Sequence, residues 1–390
     1  MLQSSPVTGG LGKLLGATTG QRVALALRIG GTVATDQPDI SIVGQDGRIL
    51  LLSCRRFIDE IVMGDACFVC SASPQDKSFN DEHIVPRWVL KRYGLFDKEI
   101  TLPTGERRHY RGYRIPCCVD CNSLLGKRME TPVSELLDGT YAEVAERLNG
   151  ANLRLLFTWV SLLFFKVHLK DRSVRVHKDP RLGADIVGDI YEWGDMHHLH
   201  AVARSPYTGA TLLPEALGSL RVFEIADELT NDGYDYLDFT FDQTVVVRLG
   251  KIGIVATLND STAAESAWSD RLDLIDGPIS EIQLREIAAM FALANRDLIT
   301  RPVFATLVYD KTTVMINARR PPLRLKEFEP EAFGHALLFA VRNFVDARAI
   351  AVNGTRDPAK VAAAIATGYV RFLTSEGKFI RPVAHRGEVS

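Results

Sequence analysis

Cysteine is scarce in this sequence, with six residues among 390, and the first residues lack the charged start and apolar run of a secretory signal. We therefore expect a cytoplasmic protein whose cysteines are reduced rather than joined in disulfides. A Walker A motif, a GxGxxG motif and internal repeats are also missing. Their absence argues against the commonest nucleotide-binding folds and against a solenoid.

The sequence also lacks a long uninterrupted hydrophobic run and a large net charge. Its most apolar stretch, residues 153–167, contains Arg154 and Lys166 and is shorter than the ~20 residues that a membrane span needs. We therefore predict a buried helix there and no membrane contact. A net charge of −2 excludes a uniformly basic nucleic-acid coat, and 390 residues suggest two or three domains.

Four of the six cysteines form two CxxC pairs, Cys67 with Cys70 and Cys118 with Cys121. Two such pairs can close a tetrahedral zinc site, because each pair presents both sulfurs from one tight turn. The pairs are 47 residues apart, so the fold must bring them together. We predict one structural zinc ion on these four residues, which leaves Cys54 and Cys117 without an assigned role.

Between and after these pairs stand residues that can carry chemistry. His83 has the side chain that accepts a proton from water near neutral pH. Glu82 precedes it in a predicted strand, so the two side chains point to opposite faces unless the backbone bends. Asn122 follows Cys121 at the predicted start of a helix, where it can cap that helix or bind a hard cation. Glu130 lies eight residues further on roughly the same face, where it could assist a metal or simply face solvent.

The order CFVC, EHIVP and CVDCN resembles the cysteine-flanked HNH endonucleases, also called ββα-metal or His-Me finger nucleases. The resemblance covers about a sixth of the chain. It implies a zinc-stabilised ββα unit in which His83 is the general base, while Glu82 and Asn122 hold a divalent ion, most simply Mg²⁺. The implied reaction is hydrolysis of a phosphodiester in nucleic acid, most simply double-stranded DNA, in a bacterial defence or restriction effector. The family's middle motif position falls near Tyr113 and Arg114, and neither is the usual residue.

Residues 84–128 contain ten Lys and Arg against four acids, a local excess of +6 in a chain that is nearly neutral. A basic patch beside the motif suits a phosphate backbone, although a solvated loop would have the same composition. The candidate contacts to nucleic acid are Arg87, Arg107, Arg108, Arg111 and Lys127.

The whole chain is expected to be α+β, a zinc-stabilised ββα-metal nuclease unit followed by a larger mixed α+β domain. Residues 1–64 are predicted as an arm and a small β-rich segment, 65–135 as the HNH-like unit, and 136–390 as the C-terminal domain with a helical linker over 136–170. That domain could bind a regulatory partner or form a homo-oligomer. Within it we predict strands across 186–260, hairpins at Gly250 and Asp310, and helices over 279–298, 330–350 and 358–374.

Other interpretations stay open at this stage. His198 and His200 would share one face of a predicted strand and could bind a metal, but no third ligand is evident, which favours a structural pair. The zinc unit could also bind nucleic acid without cutting it. In a third interpretation the zinc unit is only structural, and the C-terminal domain binds a partner or acts as a sensor.

Overall fold

The computed structural model describes residues 28–29, 32–33, 41–102, 105–177, 179–226, 233–368 and 376–382, which form a mixed α+β fold. The arm predicted over residues 1–20 and the end of the helix predicted over 358–374 lie outside these ranges. The first elements are short antiparallel pairs, β1 (Arg28–Ile29) with β2 (Thr32–Val33) and β3 (Ile42–Val43) with β4 (Ile49–Leu51). Helix α1 (Cys54–Arg56) follows and continues as a π-helical turn, Phe57–Val62.

The motif-bearing segment consists of a helix and two paired strands that are far apart in sequence. Strand β5 (Phe79–His83) pairs antiparallel with β8 (Arg114–Cys118), and helix α3 (Val119–Leu125) begins directly after β8. Between the strands lie helix α2 (Arg87–Arg92) and a hairpin of β6 (Glu99–Thr101) with β7 (Arg107–His109). The sequence pattern predicts the second strand over residues 110–115, but it starts at Arg114 because residues 110–112 form a 3₁₀ turn.

The helices that follow carry the chain into the core. A π-helical turn, Gly126–Glu130, extends α3 into α4 (Thr131–Leu136), and α5 (Tyr141–Arg147) is capped by Thr140 and Glu143 in a capping box. Helix α6 (Gly150–Asp171) is long and apolar enough to cross a membrane by length and composition, but 61% of its apolar window is buried inside the fold. The predicted buried helix is therefore confirmed, and it is longer than the apolar run suggested.

The strand predicted around His198 and His200 is wrong, because these residues lie in helix α7 (Trp193–Ala203), followed by the short α8 (Ser205–Thr208). The buried apolar residues Met196, Leu199, Val202 and Ala203 recur every three or four positions, which is the helical period. In residues 199–204, LHAVAR, the sequence suggested a strand because His200 counts as polar between apolar residues, whereas the structure buries it.

The central sheet has four antiparallel strands in the order β10, β13, β12, β11. The predicted hairpin at Gly250 joins β12 to β13, with Gly250 at a positive φ of 61° that suits glycine. Every residue of β12 and β13 is buried, so both faces of the sheet are covered. The strands are β10 (Ser219–Glu224), β11 (Tyr234–Phe239), β12 (Thr244–Leu249) and β13 (Ile252–Thr257).

The remaining elements include the predicted hairpin and three predicted helices, together with a helix over Ala263–Leu272 that was not predicted. A second sheet contains the predicted hairpin at Asp310, with one short parallel strand on its edge. Its strands are β9 (Thr211–Leu212), β14 (Val303–Tyr309) and β15 (Thr313–Arg319). The helices are α9 (Ala263–Leu272), α10 (Glu281–Arg296), α11 (Pro330–Asp346) and α12 (Pro358–Ala366).

Two apolar clusters share the central sheet. The first runs from Leu52 to Ile316 and joins the CxxC segment, α6, α7 and one face of the sheet. The second holds the other face of the sheet against α10, α11 and α12. Val245 and Val247 belong to the first cluster and Val246 to the second, as the two-residue period of a strand requires. The motif-bearing segment thus packs against the chain beyond residue 135 rather than around a core of its own.

Candidate metal centre and catalytic site

The two CxxC pairs meet at the junction of β8 and α3. The sulfurs of Cys67, Cys70, Cys118 and Cys121 all lie within 4.8 Å of one another, and all four residues are buried. Zinc–sulfur bonds of about 2.3 Å in a tetrahedron place the sulfurs about 3.8 Å apart, and Cys70 Sγ is 3.7 Å from Cys118 Sγ. The four donors therefore fit a structural ion such as zinc, and the prediction that the fold unites the pairs is confirmed.

Local backbone geometry presents the sulfurs. The amide of Cys67 donates to Ala72 O at 2.9 Å, and that of Ser71 donates to Cys67 O at 2.8 Å, which closes a tight turn around the first pair. Ser71 has a φ of 63° in this turn. The second pair is placed by the strand–helix junction, since Cys118 ends β8 and Cys121 lies in the first turn of α3.

A fifth cysteine lies beside this group. Cys117 Sγ is 3.8 Å from Cys67 Sγ, and the residue is fully buried. The hydrogen bond between the two sulfurs lowers the pKa of Cys67 and raises that of Cys117, and burial raises the pKa of Cys117 further. Sequence spacing had given Cys117 no role because it is outside a CxxC pair.

Helix α7 holds the first CxxC turn from outside. His200 Nε2 donates to Phe68 O at 2.7 Å, and Arg204, just past the helix, donates through Nε to Val69 O at 2.5 Å. Phe68 and Val69 are the two residues between Cys67 and Cys70. Burial keeps the pKa of His200 well below its usual value, so the imidazole is neutral. Since His198 stacks on Phe304 at 3.9 Å, the histidines of α7 are packing and hydrogen-bonding residues rather than metal ligands.

His83 ends strand β5, and its side chain is buried close to the positive charges of Arg114, Arg87 and Lys166. It is 7% exposed, its Nε2 atom is buried without a hydrogen-bond partner, and its ring meets that of Phe96 edge-on at 6.3 Å. Burial lowers its pKa, and the positive charge of Arg114, its partner across the strand pair, lowers it further. A neutral imidazole at pH 7 can accept a proton from water.

Glu82 points away from His83 into the interior, as neighbouring strand residues should. Its Oε1 atom is 2.8 Å from Lys166 Nζ on helix α6. The same ammonium donates to His83 O at 2.9 Å and lies 3.7 Å from Glu130 Oε1. Trp88 Nε1 donates to the other oxygen of Glu130 at 3.1 Å. Burial raises the pKa of Glu130 to about 7, against the attraction of Lys166.

Asn122 lies in the first turns of α3, and its Nδ2 donates to Asn80 Oδ1 at 2.9 Å. Glu82, Asn122 and Glu130 thus stand on the helix-facing side of β5, but each is already engaged by a protein group. Among the described residues, the four cysteines form the one cluster of His, Cys, Asp and Glu dense enough for a metal ion. As placed, the residues expected to hold Mg²⁺ do not fit a divalent ion.

The unusual middle position of the motif has a structural role. Tyr113 is 1% exposed, its hydroxyl donates to Asp171 Oδ1 at 2.8 Å, and its carbonyl accepts from the amide of Ile84. The chain therefore uses Tyr113 to fasten β8 to the end of α6, and Arg114 is the residue that stands beside His83.

The predicted nucleic-acid contacts are surface residues. Three of them pair with acids of the same segment, Arg107 with Glu99 at 3.7 Å, Arg108 with Glu106 at 3.0 Å and Arg111 with Asp97 at 3.0 Å. Arg87 and Lys127 are exposed. Exposed ion pairs contribute little free energy, so these arginines can exchange their carboxylates for phosphates at small cost.

The site as a whole combines a buried four-cysteine cluster, a neutral histidine beside an arginine, and an exposed cationic hairpin. The neutral histidine can accept a proton from water, and the cationic groups beside it and on the surface can attract an anion. No family model, no curated protein and no solved structure was found to match this chain.

Proposed function

We propose that the protein is a zinc-supported phosphodiesterase of nucleic acid, most simply double-stranded DNA, in which residues 65–135 act as an HNH-type nuclease unit. One observation carries the proposal. The chain places β5, β8 and α3 in that order, with His83 at the end of the first strand and the two CxxC pairs joined where the second strand meets the helix. Strand, strand, helix and zinc cluster then surround one candidate base.

In the proposed reaction His83 accepts a proton from a water molecule, whose oxygen attacks the phosphorus. The bond from phosphorus to the leaving sugar oxygen breaks, and that oxygen takes a proton from solvent. Arg114, across the strand pair from His83, is positioned to offset the negative charge that grows on the phosphate oxygens. Zinc bound to the four cysteines would supply folding free energy rather than chemistry.

The exposed arginines of the β6–β7 hairpin and its flanks would hold the sugar–phosphate backbone. A reducing, cytoplasmic setting belongs to the proposal, since the cysteines must stay free to bind zinc. Service as a bacterial defence effector, with control by the C-terminal part or by a second copy of the chain, is the biological role that the HNH resemblance favours.

The test is a plasmid-nicking assay on the zinc-loaded full chain, on DNA and RNA substrates. We expect His83→Ala to lose ~10²–10⁴-fold in cleavage rate, because removing a general base has that effect. Zinc content and nucleic-acid affinity should stay unchanged. His335→Ala, which alters an exposed histidine on α11 bonded to Glu331 O, is the matched control and should cut normally. The proposal fails if His83→Ala cuts like the parent, or if the parent cuts neither substrate with Mg²⁺, with Mn²⁺ or without added metal.

A second candidate function is nucleic-acid binding without cleavage. The observation that favours it is the pairing of Glu82 with Lys166, which removes a carboxylate that the related chemistry would use for a divalent ion. The two functions separate cleanly in the same assay, because a binding module would shift DNA in a gel and leave the plasmid supercoiled.

A further inference from the structure

Lys166 is the most unusual charged residue near the candidate site. Its side chain is 1% exposed and comes from α6, within a continuous buried stretch of that helix. An ammonium group has three protons to donate. Here it meets Glu82 Oε1 at 2.8 Å and His83 O at 2.9 Å, with Glu130 Oε1 further away at 3.7 Å.

This geometry puts the Lys166 ammonium where a divalent ion shared by the same carboxylates would have to lie. Mg²⁺ needs oxygen ligands at about 2.0–2.1 Å and keeps several waters in its shell. Glu82 Oε1 is held by the ammonium and Glu130 Oε2 by Trp88, while Glu130 Oε1 has no hydrogen bond and has the ammonium 3.7 Å away. Moving Lys166 away would leave two buried carboxylates without their cation, which is strongly unfavourable.

We propose that the Lys166 ammonium is the resident cation of this site and takes the place beside Glu82 where the HNH resemblance puts a divalent ion. The inference rests on the proposed function, because it treats His83 and Glu82, which lie on opposite faces of β5, as parts of one site. Lys166 acts as a positioning residue, because its bond to the His83 carbonyl fixes the end of β5 and with it the imidazole on the other face. Cleavage would then need no added divalent ion.

The experiment measures Mn²⁺ binding by electron paramagnetic resonance on the zinc-loaded full chain. We expect no saturable Mn²⁺ site in the parent protein up to ~1 mM, the weak end of protein affinities for divalent ions of this kind. Lys166→Ala should gain a saturable site, and adding Glu82→Gln to it should abolish that site. Lys170→Ala is the matched control, one turn along α6, and should resemble the parent.

Two outcomes would overturn the inference. One is a Mn²⁺ site in the parent protein that Glu82→Gln removes. The other is a folded, zinc-loaded Lys166→Ala protein that gains no site. If Lys166→Ala does not fold, the comparison of the parent with Glu82→Gln still decides the question. Because the readout is metal binding, a protein without Mn²⁺ binding and without cleavage would refute the proposed nuclease function and leave the resident ammonium standing.

Discussion

Cys117 and Cys118 are adjacent in the chain and both fully buried, yet their sulfurs have different neighbours. Cys118 Sγ belongs to the four-cysteine cluster, whereas Cys117 Sγ meets only Cys67 at 3.8 Å. We expect Cys118→Ala to lose the bound zinc and to reduce solubility, because zinc binding in such a unit is also folding free energy. Cys117→Ala should keep about one zinc per chain.

Metal analysis by mass spectrometry on the two purified variants checks this expectation. If Cys117→Ala loses zinc and Cys118→Ala keeps it, the ion is bound by Cys117 rather than by Cys118. Equal retention in both would mean that no ion depends on the second pair.

The sequence predicted the residues whose roles depend on spacing. A CxxC pair fixes its own geometry within four residues, and neighbouring strand residues must face opposite sides. The cysteine site and the opposite orientations of Glu82 and His83 could therefore be predicted. The contact of Lys166 could not be predicted, because its partner Glu82 lies 84 positions earlier. The sequence of an apolar helix does not indicate which distant carboxylate its buried lysine will contact.

Among the elements, α7 shows how burial can mislead a reading of periodicity. Histidine counts as polar in a sequence pattern, so the histidines that stand between apolar residues here produce a false strand-like alternation. The structure buries them, with Phe68 O as the partner of His200, Leu52 O as that of His197 and the Phe304 ring against His198. The hairpins at Gly250 and Asp310 were predicted correctly because their strands are neighbours in sequence.

The junction of β8 with α6 gives a prediction about pH. Asp171 accepts from Tyr113, and burial raises its pKa to about 6 from 3.8, although Tyr113, His168 and Lys170 favour its charged form and Asp238 opposes it. The folded protein therefore binds a proton that the unfolded chain releases between these values. Stability from this group is present below pH 3.8 and falls as the pH rises to about 6.

Asp171→Asn keeps an oxygen for the Tyr113 hydroxyl but cannot ionise. We expect it to stabilise the protein by about 3 kcal/mol at pH 7 and by only about 1 kcal/mol at pH 4.5. Urea unfolding of both proteins at the two pH values measures the difference. A variant less stable than the parent at pH 7, or a gain that does not depend on pH, would contradict the account.

At the scale of the whole molecule, the sequence did not predict the order of strands in the sheets or which segments pack into the same apolar cluster. Composition and length suggested separate domains, with a boundary near residue 135. The apolar cluster that contains the CxxC segment also includes buried residues beyond that boundary, as far as Ile316. Such packing depends on contacts between distant segments, and single-sequence patterns record only which face of each element is apolar.

The β6–β7 hairpin and the turn after it, which carry Arg107 and Arg111, give a prediction about how the whole molecule would bind nucleic acid. If Arg107 and Arg111 contact phosphates, changing both to Ala should flatten the plot of log affinity against log salt by about 2 units of slope. Fluorescence anisotropy with a labelled duplex over a salt series provides the measurement.

The control is Arg342→Ala, which removes a similarly exposed arginine paired with Asp346 at 3.1 Å on α11. It should leave the slope unchanged. If the variant that lacks Arg107 and Arg111 has the same slope as the control, these arginines face solvent and do not contact phosphates.

The bonds from His200 and Arg204 to the first CxxC turn also set an order of events during protein synthesis. A ribosome completes residues 67–121, with all four cysteines, well before it adds the residues that bond to Phe68 O and Val69 O. Lys166, the partner of Glu82, is also added after the second pair. A nascent chain can therefore bind zinc on its four cysteines before α6 and α7 have emerged to support Glu82 and the first CxxC turn.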